Sequence, residues 1–200
     1  MLRFSAPALA IALAVALPAV AQQQPPAMPA RDVAVRYKVQ DSPPTTDRVA
    51  WLVSEGRIRT EGRALTRRVT HLIDTRSGQA TALLDTERSF QDLGRVASVM
   101  MQDHSFVRPG TRLTREGADR VAGLACTIWR VERQGSSPDD VRRACITEDG
   151  VPLRLVEGTG SDAETLYEAT EVSYEPQDPA RFRVPQGYQS LTTEAPARRR

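Results

Sequence analysis

The sequence predicts a mainly β protein: one large, strongly curved antiparallel sheet, a half-barrel, with a single helix on its concave face. Most of the chain alternates apolar and polar residues with a period of two, which is typical of strands with one buried face. Turn-forming residues recur every eight to twelve positions, as in an antiparallel meander. One segment has helical periodicity instead. Because a helix with one apolar stripe must bury it, we expect this helix to cover the concave face.

Five strands are expected before the helix. Val33, Val35, Tyr37 and Val39 alternate with polar or small residues and indicate a half-buried strand. Turn residues then separate four similar runs. The expected strands are residues 33–39, 49–53, 57–61, 68–74 and 80–85.

The helix is predicted over residues 90–103, after about the fifth strand. Its apolar stripe has the spacing i, i+3, i+4 and i+7 and consists of Leu93, Val96, Ala97 and Met100. Gly94 weakens this prediction, because glycine costs about 1 kcal/mol relative to alanine inside a helix.

An apolar cavity under this helix would have five candidate lining or lid residues. These are Trp51, Leu93, Val96, Met100 and Met101. Methionine and tryptophan suit an adaptable apolar pocket. The same residues also serve as ordinary core, and the sequence leaves both interpretations open.

The second half of the chain predicts strands near residues 111–121, 124–132, 141–148, 151–156 and 163–175. Turn formers at 133–140 indicate a hairpin that places Cys126 directly opposite Cys145. A thiol nucleophile or a metal pair would need partners, and the chain has no Cys-x-x-Cys. We therefore predict a disulfide. In the chain-entropy model, closing this loop stabilises the folded chain by about 3 kcal/mol.

The N-terminus has the layout of a secretory signal peptide. Arg3 precedes an apolar run over residues 8–17, which is too short for a permanent membrane span. Small residues up to Ala21 predict cleavage between Ala21 and Gln22. A retained membrane anchor is the alternative, but no cysteine follows the cleavage site, so a lipid-anchored lipoprotein is not expected. Export to the periplasm, or secretion, agrees with a disulfide.

Four regions follow from these patterns. They are a signal peptide at 1–21, a flexible proline-rich leader at 22–31, a single domain at 32–188 and a disordered tail at 189–200. Phe182 and Tyr188 are expected to hold the irregular end of the domain.

The composition and the motifs disfavour several functions. A formal net charge of +2 does not indicate a nucleic-acid partner. His71 alternates with apolar neighbours, as a core or rim histidine does, and His104 follows the helix, where an imidazolium would complement the helix dipole. Neither histidine has an activated nucleophile or a second ligand at metal-binding spacing. No catalytic residue, metal or cofactor is therefore expected.

Turns, a core glycine and the cysteine pair form recognisable motifs in residues 72–90, 121–129, 145–154 and 174–188. These segments resemble an uncharacterised family of exported bacterial proteins related to the periplasmic lipoprotein-carrier (LolA-like) superfamily. The resemblance spans residues 33–188 and implies a curved sheet closed by helices around an apolar cavity. The carriers begin with an amphipathic helix and are not defined by this cysteine pair. Lipoprotein transport is therefore not implied.

The sequence thus favours a soluble, exported, non-enzymatic protein that binds a lipid or acyl chain in a half-barrel cavity. The alternative is an envelope protein-interaction or sensor module whose core is filled by its own side chains. In both cases no nucleic acid and no membrane span after processing are expected.

Overall fold

The computed structural model describes residues 24–40, 45–64, 67–137 and 140–191, and a single sheet of 12 strands dominates it. The predicted signal peptide and its cleavage site at Ala21 and Gln22 lie outside the described residues. The strands are β1 (Val33–Val39), β2 (Thr45–Leu52), β3 (Arg57–Ala64), β4 (Arg67–Asp74), β5 (Ala80–Leu84), β6 (Ser89–Gly94), β7 (Thr111–Val121), β8 (Leu124–Arg133), β9 (Arg142–Ile146), β10 (Pro152–Glu157), β11 (Glu164–Ser173) and β12 (Gln189–Ser190). The mainly β fold class is confirmed.

The order of the strands explains why a helix lies on the sheet. From one edge to the other the order is β12-β6-β5-β4-β3-β2-β1-β11-β10-β9-β8-β7. The chain therefore builds outward from β1 to β6, and then resumes with β7 at the opposite edge. The connection between them must cross the whole sheet. It contains the helix α1 (Ala97–Met100).

The concave face carries the main core. Buried side chains of β1–β5 and β7–β11 form one cluster with residues of the crossover connection. Ala97, Met101 and Phe106 are the buried residues that the connection contributes. The helix therefore packs on the concave face, as predicted, because this face offers the apolar surface that can cover its stripe.

A smaller cluster covers part of the convex face. Phe182, in a 3-10 turn at Pro179–Phe182, packs on Ala34, Ala50 and Leu52. Tyr188 donates a hydrogen bond from its hydroxyl to Asp85 Oδ1, at 2.7 Å. Both aromatic residues thus hold the irregular end of the domain, as the sequence indicated.

The predicted helix over 90–103 is wrong in its first part. Residues 89–94 form β6, which pairs with β5 so that Phe90 lies opposite Leu83. Gly94 ends the strand with a φ of +72°, and Asp92 accepts a hydrogen bond from the Gly94 amide at 2.8 Å. Pairing with a neighbouring strand satisfies this backbone and overrides the local helical pattern. Only the short α1 remains helical.

The disulfide is confirmed, but its predicted register is wrong. Cys126 and Cys145 are bonded, with their Cα atoms 5.4 Å apart. Ile128, not Cys126, lies opposite Cys145 across β8 and β9. The bond is therefore diagonal. Its Cα separation still lies inside the usual range for a disulfide, about 4.4–6.8 Å, because twisted strands bring diagonal neighbours together.

Both ends of the domain are more closely attached than expected. Pro25 and Pro29 of the leader are buried, and Ala30 donates a backbone hydrogen bond to Asp149 at 2.8 Å. At the other end Gln189 and Ser190 form β12 parallel to β6. The contacts of the domain thus extend to residue 25 at one end and to residue 190 at the other. Residues 192–200 lie outside its described part.

Candidate ligand cavities

The crossover connection leaves two cavities on the concave side, each of about 350 Å³. His104 lines both of them and thus lies in the partition between them. Each volume is at the low end of the range for ligand pockets, about 300–1,000 Å³. Both cavities are partly open to solvent, so they can be reached from outside the protein.

The first of them, here the tyrosine cavity, lies over the part of the sheet where β1 meets β11. Leu155 and Val49 form part of its apolar wall, and Met100 of α1 reaches it from the crossover connection. Its lining residues are Tyr37, Val39, Asp47, Val49, Thr60, Gly62, Arg63, Val69, His71, Ile73, Met100, Asp103, His104, Leu155, Leu166 and Tyr167.

The second, here the tryptophan cavity, lies on the other side of His104. Trp51 and Ile58 come from the sheet, and Met28 comes from the leader. Its lining residues are Met28, Trp51, Ile58, Thr75, Gly78, Arg95, Ala97, Ser98, Met101, His104, Ser105 and Arg108. Ser105 donates a hydrogen bond from its hydroxyl to the Ala27 carbonyl at 3.1 Å, which ties the leader to the crossover connection beside this cavity.

The His104 ring of the partition packs against two tyrosine rings that line the tyrosine cavity. His104 stacks on Tyr167 with ring centroids 4.9 Å apart and an interplanar angle of 4°. Tyr37 meets both rings edge-on, at 5.5 Å from His104 and 4.9 Å from Tyr167. The Tyr37 hydroxyl donates to the Pro152 carbonyl at 2.7 Å. Both tyrosine side chains belong to strands, so the histidine ring rests on a rigid surface.

Asp103 holds the crossover connection in place. Its Oδ1 atom accepts hydrogen bonds from Arg142 Nη1 at 2.8 Å and from Arg133 Nη2 at 3.2 Å. Its backbone carbonyl accepts from the Tyr167 hydroxyl at 2.6 Å. These contacts reach β8, β9 and β11. The partition is therefore anchored to the sheet by charge-assisted hydrogen bonds, which are stronger than neutral ones.

His104 is a neutral imidazole at pH 7. Burial lowers its pKa from 6.5 to about 4, and the nearby Asp103 carboxylate offsets only part of that effect. The interpretation of His104 as an imidazolium at a helix end is therefore wrong. Burial between two tyrosine rings disfavours the charged form more than the dipole of a four-residue helix favours it.

The low pKa of His104 predicts a pH-dependent stability. The unfolded chain takes up a proton near pH 6.5, whereas the native chain does so only near pH 4, so acid favours unfolding. Between about pH 7 and pH 5, above the range where carboxylates titrate, we expect a loss of about 1–2 kcal/mol, measured by urea unfolding.

The control for this prediction is His104→Phe, which keeps an aromatic ring and removes the titration. Burial also lowers the pKa of His71, so this variant should retain a smaller loss of the same sign. Equal losses in the wild type and in the variant would contradict the assignment to His104.

The two cavities differ in charge. Asp47 and Asp103 line the tyrosine cavity beside Arg63. The tryptophan cavity has Arg95 and Arg108 but no carboxylate among its described lining residues. Like charges without a compensating partner attract an anion.

The predicted cavity residues separate into three groups. Trp51 and Met101 line the tryptophan cavity, and Met100 lines the tyrosine cavity. Leu93 and Val96 pack against the core but line neither of these two cavities. Trp51 and Met101 are at the same time buried in the core, with 1% and 5% of their surface exposed. These two side chains therefore belong both to the core cluster and to the wall of the tryptophan cavity.

Neither the two tyrosines that contact His104 nor the two arginines were predicted as site residues. Tyr37 lies on the inward side of a strand that the alternation predicted. The direction of its side chain could therefore have been predicted from the sequence. Tyr167 occupies the equivalent inward position on β11. Arg95 and Arg108 lie in the crossover connection, where no periodicity indicates which way a side chain points.

The titratable residues do not form a metal centre in the part of the chain that the structure describes. No group of three or more histidine, cysteine, aspartate or glutamate side chains there could hold a metal ion. His71 Nδ1 lies 3.3 Å from the Thr60 hydroxyl, a contact between neighbouring strands.

Comparisons with known structures show the fold. A crystal structure of an uncharacterised conserved protein from Thermus thermophilus is similar, with a TM-score of 0.55 and 16% identity over 80% of this chain and 90% of that chain. MucB is similar with a TM-score of 0.50 and 14% identity over 82% of this chain. A structure of MucB in complex with MucA(peri) has a TM-score of 0.47 and 14% identity, and the match covers 78% of this chain and 56% of that chain.

At these identities the similarity is one of fold. This chain spans 60% of the length of MucB. No protein-family model and no curated protein sequence matches it. The curved sheet agrees with the fold that the resemblance to the lipoprotein-carrier superfamily implied, whereas the implied closing helices are represented in the described residues by the four-residue α1.

Proposed function

We propose that this protein is an exported, non-enzymatic binding protein that holds an apolar ligand, such as a lipid or acyl chain, in its half-barrel. The observation that carries the proposal is the pair of cavities of about 350 Å³ on the concave face. Both have walls of aliphatic and aromatic side chains over a rigid sheet, as small-molecule sites generally do.

The cysteine pair and the N-terminal sequence pattern support export, and the contacts of the titratable groups at the cavities support a binding role. The disulfide fits an oxidising compartment, and the signal-peptide pattern predicts that the mature chain begins at Gln22. No helix in the described ranges is long and apolar enough to span a bilayer. The titratable groups at the cavities are held in structural contacts: Asp103 binds two arginines, and the His104 ring stacks on Tyr167.

A second candidate function is binding to a protein of the cell envelope. Val99 of α1 is 65% exposed and is the most exposed large apolar side chain among the described residues. It lies next to two cavity-lining residues, Ser98 and Met100. MucB, which has a similar fold, forms a complex with MucA(peri); that interaction belongs to MucB.

The binding of an uncharged apolar probe tests the leading proposal. We expect N-phenyl-1-naphthylamine to bind the purified wild type saturably, with an increase in its fluorescence. Met100→Asp places a carboxylate in the wall of the tyrosine cavity and should weaken this binding about tenfold, because an apolar ligand cannot compensate for the lost hydration of the charge. Met100 is only half-buried, so the variant should keep the wild-type circular dichroism spectrum.

Val99→Asp is the matched control, since it adds the same charge to the solvent side of the same helix. It should bind the probe as the wild type does. If the wild type binds no probe, and organic extraction of the protein releases no lipid detectable by mass spectrometry, the protein-interaction function replaces the leading proposal.

A further inference from the structure

The tryptophan cavity combines an apolar interior with cationic groups. Trp51, Ile58 and Met101 are almost fully buried and form its inner wall. Arg95 is exposed and Arg108 is half-buried, so these two guanidinium groups lie nearer to solvent. A purely apolar ligand would contact the inner wall and leave the two arginines without a binding role.

The two arginines are not neutralised by the protein. Neither Arg95 nor Arg108 forms an ion pair with a carboxylate within the described ranges, although sixteen ion pairs are formed there by other residues. Arg108 donates a hydrogen bond from Nη1 to the Ser98 carbonyl at 3.3 Å. That contact orients the guanidinium but does not cancel its charge.

The surroundings of Arg108 add further positive charge. Burial, and then the nearby charge of Arg133, lower the pKa of Arg108, and Arg142 acts in the same direction. Asp103 opposes them, but its carboxylate already accepts hydrogen bonds from Arg133 and Arg142. A bound anion would therefore be stabilised at this end of the cavity.

We propose that the tryptophan cavity binds a single-chain amphiphile with an anionic headgroup, whose chain packs against Trp51 and Met101 and whose headgroup contacts Arg95 and Arg108. This inference rests on the proposed function and names the ligand class at one of its two cavities. A carboxylate and a phosphate share the required chemistry, because the planar guanidinium fork matches both. The small volume favours one chain over two.

Trp51 provides a local reporter of binding. The chain has two tryptophans, and Trp129 lines neither cavity, so Trp129→Phe leaves Trp51 as the single fluorophore. Three probes with a bromine at the end of the chain quench nearby tryptophan: 12-bromododecanoate, 12-bromododecyl phosphate and uncharged 12-bromododecanol. If Trp129→Phe fails to fold, the same titrations are made on the chain that keeps both tryptophans. Loss of quenching in the Trp51→Phe variant then assigns the signal to Trp51.

We expect saturable quenching by at least one anionic probe, with a Kd about tenfold below that of the alcohol. The anion that binds more tightly identifies the headgroup as carboxylate or phosphate. Arg108→Gln and Arg95→Gln should each raise the Kd of that anion about tenfold and leave the Kd of the alcohol unchanged. Arg112→Gln is the matched control, because the Arg112 side chain is 80% exposed and lines neither cavity.

Each outcome decides between the two proposals. If the alcohol binds as tightly as the anions, or if Arg112→Gln weakens the anion as much as the cavity variants do, the anionic headgroup is wrong while an apolar ligand remains. If none of the three probes quenches Trp51, the tryptophan cavity takes no amphiphile, and the inference fails. The uncharged naphthylamine probe then decides separately whether the proposed function survives at the tyrosine cavity.

Discussion

Removal of the disulfide is expected to lower the free energy of unfolding by about 2–4 kcal/mol, because the bond restricts the unfolded chain across a separation of 19 residues. Alanine is the better replacement for Cys126 and Cys145, since both side chains are buried in the main core. Urea unfolding followed by circular dichroism measures the difference.

Two comparisons check that the crosslink is the cause. The wild type unfolded in the presence of a reductant should approach the stability of the double-alanine variant. The double-serine variant should be less stable still, because each buried hydroxyl without a partner costs about 1–3 kcal/mol. Rapid alkylation of both thiols in the native, non-reduced protein would contradict the presence of the bond.

Met101→Asp is expected to cause the second large loss, about 3–5 kcal/mol. Met101 is 5% exposed and packs in the main core beside α1, so the change removes apolar burial and deprives a carboxylate of most of its hydration. Thermal and urea unfolding should both show the destabilisation.

Two controls separate burial from helix effects. Met101→Leu conserves volume and should cost less than about 1.5 kcal/mol. Val99→Asp adds the same carboxylate two positions earlier, at an exposed site, and should change stability by no more than about 0.5 kcal/mol. A Met101→Asp variant as stable as Val99→Asp would show that the crossover connection does not pack on the sheet.

Local pattern predicted the strands well because their alternation reflects burial on one face of the sheet. The inward positions Val33, Val35 and Tyr37 of β1 are all buried, as their spacing indicated. The helix was harder to predict. Leu93 and Val96 fit a helical stripe, yet the segment that contains Leu93 is β6, because β5 offers its edge to this backbone.

The cysteine pair shows the same limit. Composition and the expected hairpin were sufficient to predict a bond between Cys126 and Cys145. The register of β8 and β9 is set by the pairing along both strands, with Thr127 opposite Ile146, and not by the position of the turn residues alone. The bond therefore connects diagonal neighbours.

By itself, the sequence determined the class of the fold, the positions of most strands and the disulfide, because these follow from periodicity, turn chemistry and cysteine count. Only the tertiary structure decided that β6 lies beside the edge strand β12 while β7 forms the opposite edge, and hence that the chain between them crosses the concave face. It also brought together His104, Tyr37 and Tyr167, which come from three distant parts of the chain. The physical reason is that local sequence encodes which face of an element is buried, whereas the cavities depend on which elements become neighbours.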